Sequence, residues 1–259
     1  GGAQIELKEN SKLILNKSYL KKAQDSISLI KGSASFKIAK LAKNQKVNVY
    51  TPTAVVGVRG TEYDIQLASD GSLAVNVEKG DVQVGNDAGS KNVSADQSVE
   101  TSIENPDLNL KDELKDMKDW AENKDAQVDK DPAGKVVAIK DNLDQANKSQ
   151  KKVLEALSDD KNAEGEVDQF MFNQARSDGL FESASGIAGK HSKDKKVSRT
   201  MSTIKKIYSR LNRLNKILEE KFNKLDQIYE EKSKELDEKM NQFDDKFKDM
   251  DKKFDNFEK

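Results

Sequence analysis

Between Thr51 and Ile65 the chain changes parity. The run reads Thr-Pro-Thr-Ala-Val-Val-Gly-Val-Arg-Gly-Thr-Glu-Tyr-Asp-Ile, with Val56 and Val58 on even positions and Tyr63, Ile65 and Leu67 on odd ones. Strand side chains have a period of two, so one unbroken strand would send these two sets to opposite faces. An extra residue near Arg59-Gly60 would bring both sets to one buried face, and the expectation is a β-bulge there. Gly57 and Gly60, set in a β-branched run, fit a bulge or a close backbone approach. Pro52 fixes its own φ and has no N–H, so it belongs at a strand start or edge.

The same punctuation recurs along the first hundred residues. Ile5, Leu7, Leu13 and Leu15 alternate around Glu9-Asn10. Ile27 and Leu29 lead into Gly32, then Ala34 and Phe36; 48 residues on, Val75 and Val77 lead into Gly80, then Val82 and Val84. Both units place apolar residues five and three before the glycine and two and four after it, a strand–bend–strand with one buried face. Asp70-Gly71 marks a hairpin turn. Short strands punctuated this often predict an all-β N-terminal domain over residues 1–104, a sandwich or a short β-solenoid of stacked short strands, whose core closes without the rest of the chain.

The string TPTAVVGVRGTEY resembles the signature of the FecR domain, a bacterial envelope module, whose usual form is close to T-P-T-A-V-A-G-V-R-G-T-E-F. It departs at Val56 and Tyr63. DGSLAVNVEKGDVQV and a weaker SADQSV extend the resemblance over roughly residues 1–102. The resemblance implies an envelope or periplasmic location, and it brings in transmembrane regulators of sigma factors in iron uptake alongside envelope proteins of other roles. Within the signature, Thr51, Pro52, Gly57, Arg59, Gly60, Glu62 and Tyr63 are read as structural. Arg59 is expected to pair with Glu62 or Asp64 and brace the bulge, in preference to holding a ligand or partner.

Composition divides the chain. About a quarter of residues before Pro106 are charged, and more than two fifths after it. An all-α region is therefore expected to follow the β domain. Asn105-Pro106 reads as a helix cap and first position, followed by Leu110, Leu114, Met117 and Ala121 at helical spacing. Trp120, beside that stripe, is expected to anchor the helix. Asp131-Pro132 repeats the cap, and Val136, Ile139, Leu143, Ala146, Gln150, Val153 and Leu157 keep heptad spacing. A short helix is expected over 165–175, closing a helical region of 105–176. The glycine- and serine-rich stretch 177–197 reads as a flexible connector, with His191 as a solvated residue.

Residues 198–259 predict one long coiled-coil helix of about 90 Å. Its association seam is Ile204, Ile207, Leu211, Leu214, Leu218, Phe222, Leu225, Tyr229, Leu236, Met240, Phe243, Phe247, Met250, Phe254 and Phe257, with a doubled step of four at Leu218→Phe222. A helix this polar elsewhere needs its seam covered; a fold-back onto the 136–157 seam would leave well over half of it exposed, so self-association or a dedicated protein partner is expected.

Net charge is −1 with both signs interleaved, which gives no electrostatic reason to expect nucleic acid. Mean hydropathy is −0.84, and no apolar run approaches a membrane span. With no cysteine, disulfides and cysteine-based metal or redox sites are excluded. No nucleophile elbow, phosphate loop, zinc motif or calcium loop occurs, so no enzyme, cofactor or metal is expected. The chain opens at Gly1-Gly2-Ala3 without a visible signal peptide, and a mature or truncated chain whose export signal is missing is expected. The functional expectation is a non-enzymatic periplasmic or cell-envelope scaffold acting through protein contacts. The alternative is the periplasmic sensor of a FecR-like sigma-factor regulator, which would need a membrane helix and a cytoplasmic domain upstream.

Overall fold

The computed structural model describes residues 3–16, 18–19, 26–39, 47–58, 60–157 and 163–257, with the backbone alone for Glu164 and for 249–257. Among these residues are twelve strands: β1 (Ala3–Leu7), β2 (Lys12–Leu15), β3 (Ser26–Lys31), β4 (Ser33–Ile38), β5 (Val47–Tyr50), β6 (Val55–Val58), β7 (Glu62–Leu67), β8 (Leu73–Lys79), β9 (Asp81–Asn86), β10 (Gly89–Ser94), β11 (Gln97–Thr101) and β12 (Asn109–Asp112). Four helices follow: α1 (Met117–Lys130), α2 (Pro132–Ala156), α3 (Ala163–Lys190) and α4 (Lys195–Phe257).

The strands form two six-stranded sheets in a sandwich-like arrangement. One has the order β1-β4-β7-β8-β11-β12, the other β10-β9-β6-β5-β3-β2. Every pairing is antiparallel except β3 with β5. Leu29, Val49, Val56 and Val84 from the second sheet meet Phe36, Tyr63, Ile65 and Val75 from the first in one apolar core.

The parity change at 58–63 is resolved differently from the expected bulge. Val58 ends β6 in one sheet and Glu62 begins β7 in the other, so the chain turns a corner between sheets. Both apolar sets do face one core, because the core lies inside that corner. The corner residue Gly60 has φ +96°, and a pairing irregularity between β7 and β8 follows at Glu62/Tyr63. The recurring glycine unit is the same device. Gly32 (φ +83°) takes β3 into β4 and Gly80 (φ +82°) takes β8 into β9, each between sheets. Asn10 and Asp96, also at positive φ, turn β1 into β2 and β10 into β11 likewise. The corners stack on one another: a Cβ on Gly80 would stand 2.9 Å from Thr61 Cγ2 and 3.1 Å from the Gly60 carbonyl.

At β3 and β5 the second sheet is buried on both faces. Ile30 and Tyr50, pointing away from the sandwich core, pack with Phe170, Met171 and Ala175 of α3. The first sheet receives α1 on its outer face, where Trp120 and Ala121 lie against Ala68 and Ala74. Trp120 thus anchors its helix as expected.

Helix boundaries depart from expectation at two places. Asn105-Pro106 opens no helix; Leu110 sits in β12 opposite Val99, and α1 begins after Asp116, whose side chain accepts from Asp119 N at 2.9 Å. Residues 177–190, expected in a flexible connector, lie inside α3; the link to α4 is only 191–194, with Asp194 accepting from Lys196 N at 2.7 Å. Gly179 allows close packing there: a Cβ on it would stand 3.0 Å from the Ile30 carbonyl and 3.1 Å from Pro52 Cβ. Tertiary contact overrides their weak helix propensity. His191 is also less isolated than expected, 3.0 Å from Asp129 Oδ1.

The Asp131-Pro132 start of α2 is as expected, with Asp131 accepting from Gly134 N. Val136, Ile139, Leu143 and Ala146 face Leu180, Ala184 and Ile187 of α3 and Ile204, Ile207 and Leu211 of α4. At its centre the three-helix packing carries a polar layer. Gln150 donates to Asn215 Oδ1 at 2.7 Å, and Asn173 donates to Gln150 Oε1 at 3.1 Å and to Ser149 Oγ at 2.9 Å. Each amide here answers another, which fixes the helices' relative register.

Candidate functional site

Thr51 to Ala54 form the turn between β5 and β6. Thr51 Oγ1 accepts from Ala54 N at 3.1 Å and donates to the Ala54 carbonyl at 2.7 Å, while Thr53 Oγ1 donates to the Gly71 carbonyl at 3.2 Å. All four residues are buried. The cover comes from α3: Gly179 rests on Pro52, and Leu180 lies over Gly71. The signature turn is thus a seat for a helix.

The other signature residues serve the sheets. Glu62 bridges Lys37 at 3.2 Å and Lys79 at 3.1 Å, and hydrogen bonds from Lys79 and then Lys37 hold its carboxyl below the usual range. Tyr63 stacks on Phe36 with ring centroids 4.9 Å apart, and burial pushes its hydroxyl up. Gly60 is the corner, and Gly57 lies beside Asn48 in a cleft. Arg59, expected to brace a bulge, lies outside the described residues.

That cleft, of about 510 Å³, lies between the outer face of β5, β6 and β9 and the first turns of α3. Asn48, Tyr50 and Gln83 rise from the sheet, Asp168, Gln169 and Phe172 descend from the helix, and Gly57, Gly85, Gly89 and Gly165 keep it open. Tyr50 donates its hydroxyl to Asp168 Oδ1 at 2.6 Å, and burial, then the Asp168 charge, pushes that phenol up. Asp87, at the cleft's rim, meets Arg176 of α3 at 2.7 Å; Arg176 also donates to Asn142 of α2 at 2.7 Å. The cleft presents amide donors and acceptors, the Asp168 carboxylate and the rings of Tyr50 and Phe172, suited to hydrogen bonding a polar chain. Among the described residues no group of three or more histidines, cysteines or carboxylates is placed to hold a metal.

A second clasp joins sandwich and bundle. Lys135 of α2 reaches Asp70 Oδ2 at 3.2 Å and Glu104 Oε2 at 2.6 Å. Burial works to lower the Lys135 ammonium, but the bonds to Glu104 and Asp70 prevail and raise it. Asp70 is fully buried and also accepts from Ser72 N.

The long seam divides. Ile204, Ile207, Leu211, Leu218 and Phe222 are buried against α2 and α3, with Leu214 and Leu225 half-buried beside them. This half is satisfied within the chain, by the 136–157 seam of α2 together with α3, which is a helix rather than a connector. Beyond it Tyr229, Leu236, Met240, Phe243 and Phe247 are exposed by 53%, 60%, 60%, 64% and 53%. The side chains of Met250, Phe254 and Phe257 lie outside the described ones.

Sequence reasoning missed Asp168, Arg176 and Lys135. Their contacts with Tyr50, Asp87 and Asp70 each span at least 65 residues of chain, with no local pattern to mark them. Gln150, a polar residue in a heptad seam, was the one visible signal of the buried amide layer.

The family model described as FecR protein matches residues 1–83, so the resemblance carried by TPTAVVGVRGTEY holds, and the match ends within β9. No curated protein matches the chain. Two solved structures are similar in part, both crystal structures of a putative anti-sigma factor from Parabacteroides distasonis. The first is 18% identical, with 43% of this chain and 52% of that one covered and a TM-score of 0.39. The second is 16% identical, with 43% and 60% covered and a TM-score of 0.33. This chain thus spans between half and three fifths of their lengths, and likeness at this level carries no argument.

Proposed function

We propose, from the FecR match over residues 1–83, that this chain is the periplasmic sensing part of a FecR-like signalling regulator in the cell envelope, non-enzymatic and working through protein contacts. The match is the observation that carries the reading. The seat of α3 on Thr51–Ala54 supports it, because the most family-like residues couple the sheets to the helices. A polar segment lodged in the cleft would touch Tyr50 and Asp168 together, and so would bias the position of α3. Among the described residues no helix is long and apolar enough to cross a membrane. The test is transcriptional. Deleting the gene should alter a confined set of transcripts that share one alternative sigma factor, and a transcriptome equal to wild type would overturn the signalling reading.

The exposed apolar stripe of α4 favours a second reading, an envelope scaffold that assembles with other proteins. Cell fractionation followed by sizing of the native complex tests it. A chain running at its own mass in the envelope fraction would count against it.

A further inference from the structure

Beyond Leu225, α4 leaves the bundle with an apolar stripe that nothing among the described residues covers. From Ser233 the stripe keeps a strict heptad. Ser233, Met240 and Phe247 hold the a positions, Leu236 and Phe243 the d positions, and the register continues in the sequence at Met250, Phe254 and Phe257. Phe243 and Phe247 already lean together, their rings 5.2 Å apart. A further doubled step of four, Leu225→Tyr229→Ser233, separates this stripe from the seam buried in the bundle. Such a step locally unwinds a coiled coil. It falls where the half-buried Leu225 gives way to the exposed Tyr229.

The flanks of the stripe carry a rule without exception. The g positions are Lys232, Lys239 and Lys246, continued by Lys253; the e positions are Glu230, Asp237 and Asp244, continued by Asp251. The side chains of Lys232, Asp237, Lys239, Asp244 and Lys246 are all exposed. Charges at e and g decide which helices pair and in which direction. In a parallel, in-register pair, each g residue faces the e residue five places on in the other helix. Lys232 then meets Asp237, Lys239 meets Asp244, and Lys246 meets Asp251, every contact attractive and each occurring twice. In an antiparallel pair, g faces g and e faces e, which sets lysine on lysine and carboxylate on carboxylate.

We infer that residues 229–257 form a parallel, in-register coiled coil with a second copy of this chain. The occupant is a second copy because one helix carries both halves of the complementary charge pattern. The inference goes beyond both readings under Proposed function. Its failure would show as a monomer, whereas theirs would show in transcripts or in envelope complexes.

The full chain contains no cysteine, so introduced thiols report without background. Purified wild-type protein should scatter light as a dimer at micromolar concentration. Tyr229→Cys and Phe243→Cys, made separately, should each give a cross-linked dimer under mild oxidation, since a d residue faces its own copy in a parallel pair. The charge-reversed Lys239→Glu/Lys246→Glu variant should dimerise about tenfold more weakly or worse, its substitutions lying beyond the bundle and leaving the body folded. Added salt should weaken wild-type dimers, because it screens attractive pairs. A monomeric wild-type chain would overturn the inference. So would cross-linking at only one of the two cysteine positions, or association that strengthens with salt, since both mark an antiparallel pair.

Discussion

Gly80 is the position where one side chain's absence decides the most. Its φ of +82° lies in the left-handed region, and a Cβ there would press on Thr61 Cγ2 and on the Gly60 carbonyl of the neighbouring corner. Gly80→Ala is expected to destabilise the protein by about 1–3 kcal/mol, read from the denaturant midpoint. The 48-residue echo of Gly32 and Gly80 was visible in the sequence as apolar spacing about a glycine. That the glycines turn the chain from one sheet to the other was not, because the parity pattern of a corner matches that of a bulge. Lys135 left no such mark. Its value comes from Asp70, whose carboxylate is taken fully out of water. Lys135→Met leaves that charge unpaired and is expected to cost about 3 kcal/mol, at the low end for a buried pair because Glu104 is half exposed. Adding Asp70→Asn should recover much of the loss, and a double-mutant cycle in denaturant checks it.

At the scale of elements, the heptad of α2 and the cap of Asp131-Pro132 were legible because both are local. α3 was not, since its Gly, Ser and Ala content reads as a loop until Pro52 and Ile30 are brought against it. Asp178 ties α3 to α4 through the Tyr208 hydroxyl at 2.8 Å. Burial raises its carboxyl pKa, with the Tyr208 bond and Lys12 opposing and Glu219 adding to the rise. The folded state therefore holds the Asp178 proton more tightly than the unfolded chain does. The stabilisation from that proton is full below the ordinary carboxylate value and is lost as pH rises through the raised one. Asp178→Asn should remove this component, so the wild-type stability profile should fall with pH relative to the variant across that window. Denaturant midpoints measured for both proteins at a series of acidic pH values check the sign.

For the whole molecule, the sandwich and the helices share surfaces that neither completes alone. The sequence placed a self-sufficient β domain in residues 1–104, yet Leu108 belongs to the sandwich core and β12 pairs with β11. Ile30 and Tyr50, apolar on the outward face, are buried only by α3 and its neighbours. A fragment ending at Glu104 is therefore expected to unfold at a lower denaturant concentration than the sheets of the full chain do. Circular dichroism at strand-sensitive wavelengths compares the two, and equal midpoints would restore the self-sufficient domain.

α4 is rooted between α2 and α3 as far as Phe222 and continues to Phe257. Beyond Leu225, the last apolar residue packed on the bundle, that leaves about 48 Å of helix. Its root touches α3, which rests on the Thr51–Ala54 turn and walls the cleft. A tilt of about 5° at the root would sweep the far end through about 4–5 Å, the geometry of a rigid rod of that length. A small reorientation of α3 against the sheets would thus arrive at the tip as a shift of several ångströms. α4 has the proportions of a lever arm, held at its root by α3, which rests on the family signature.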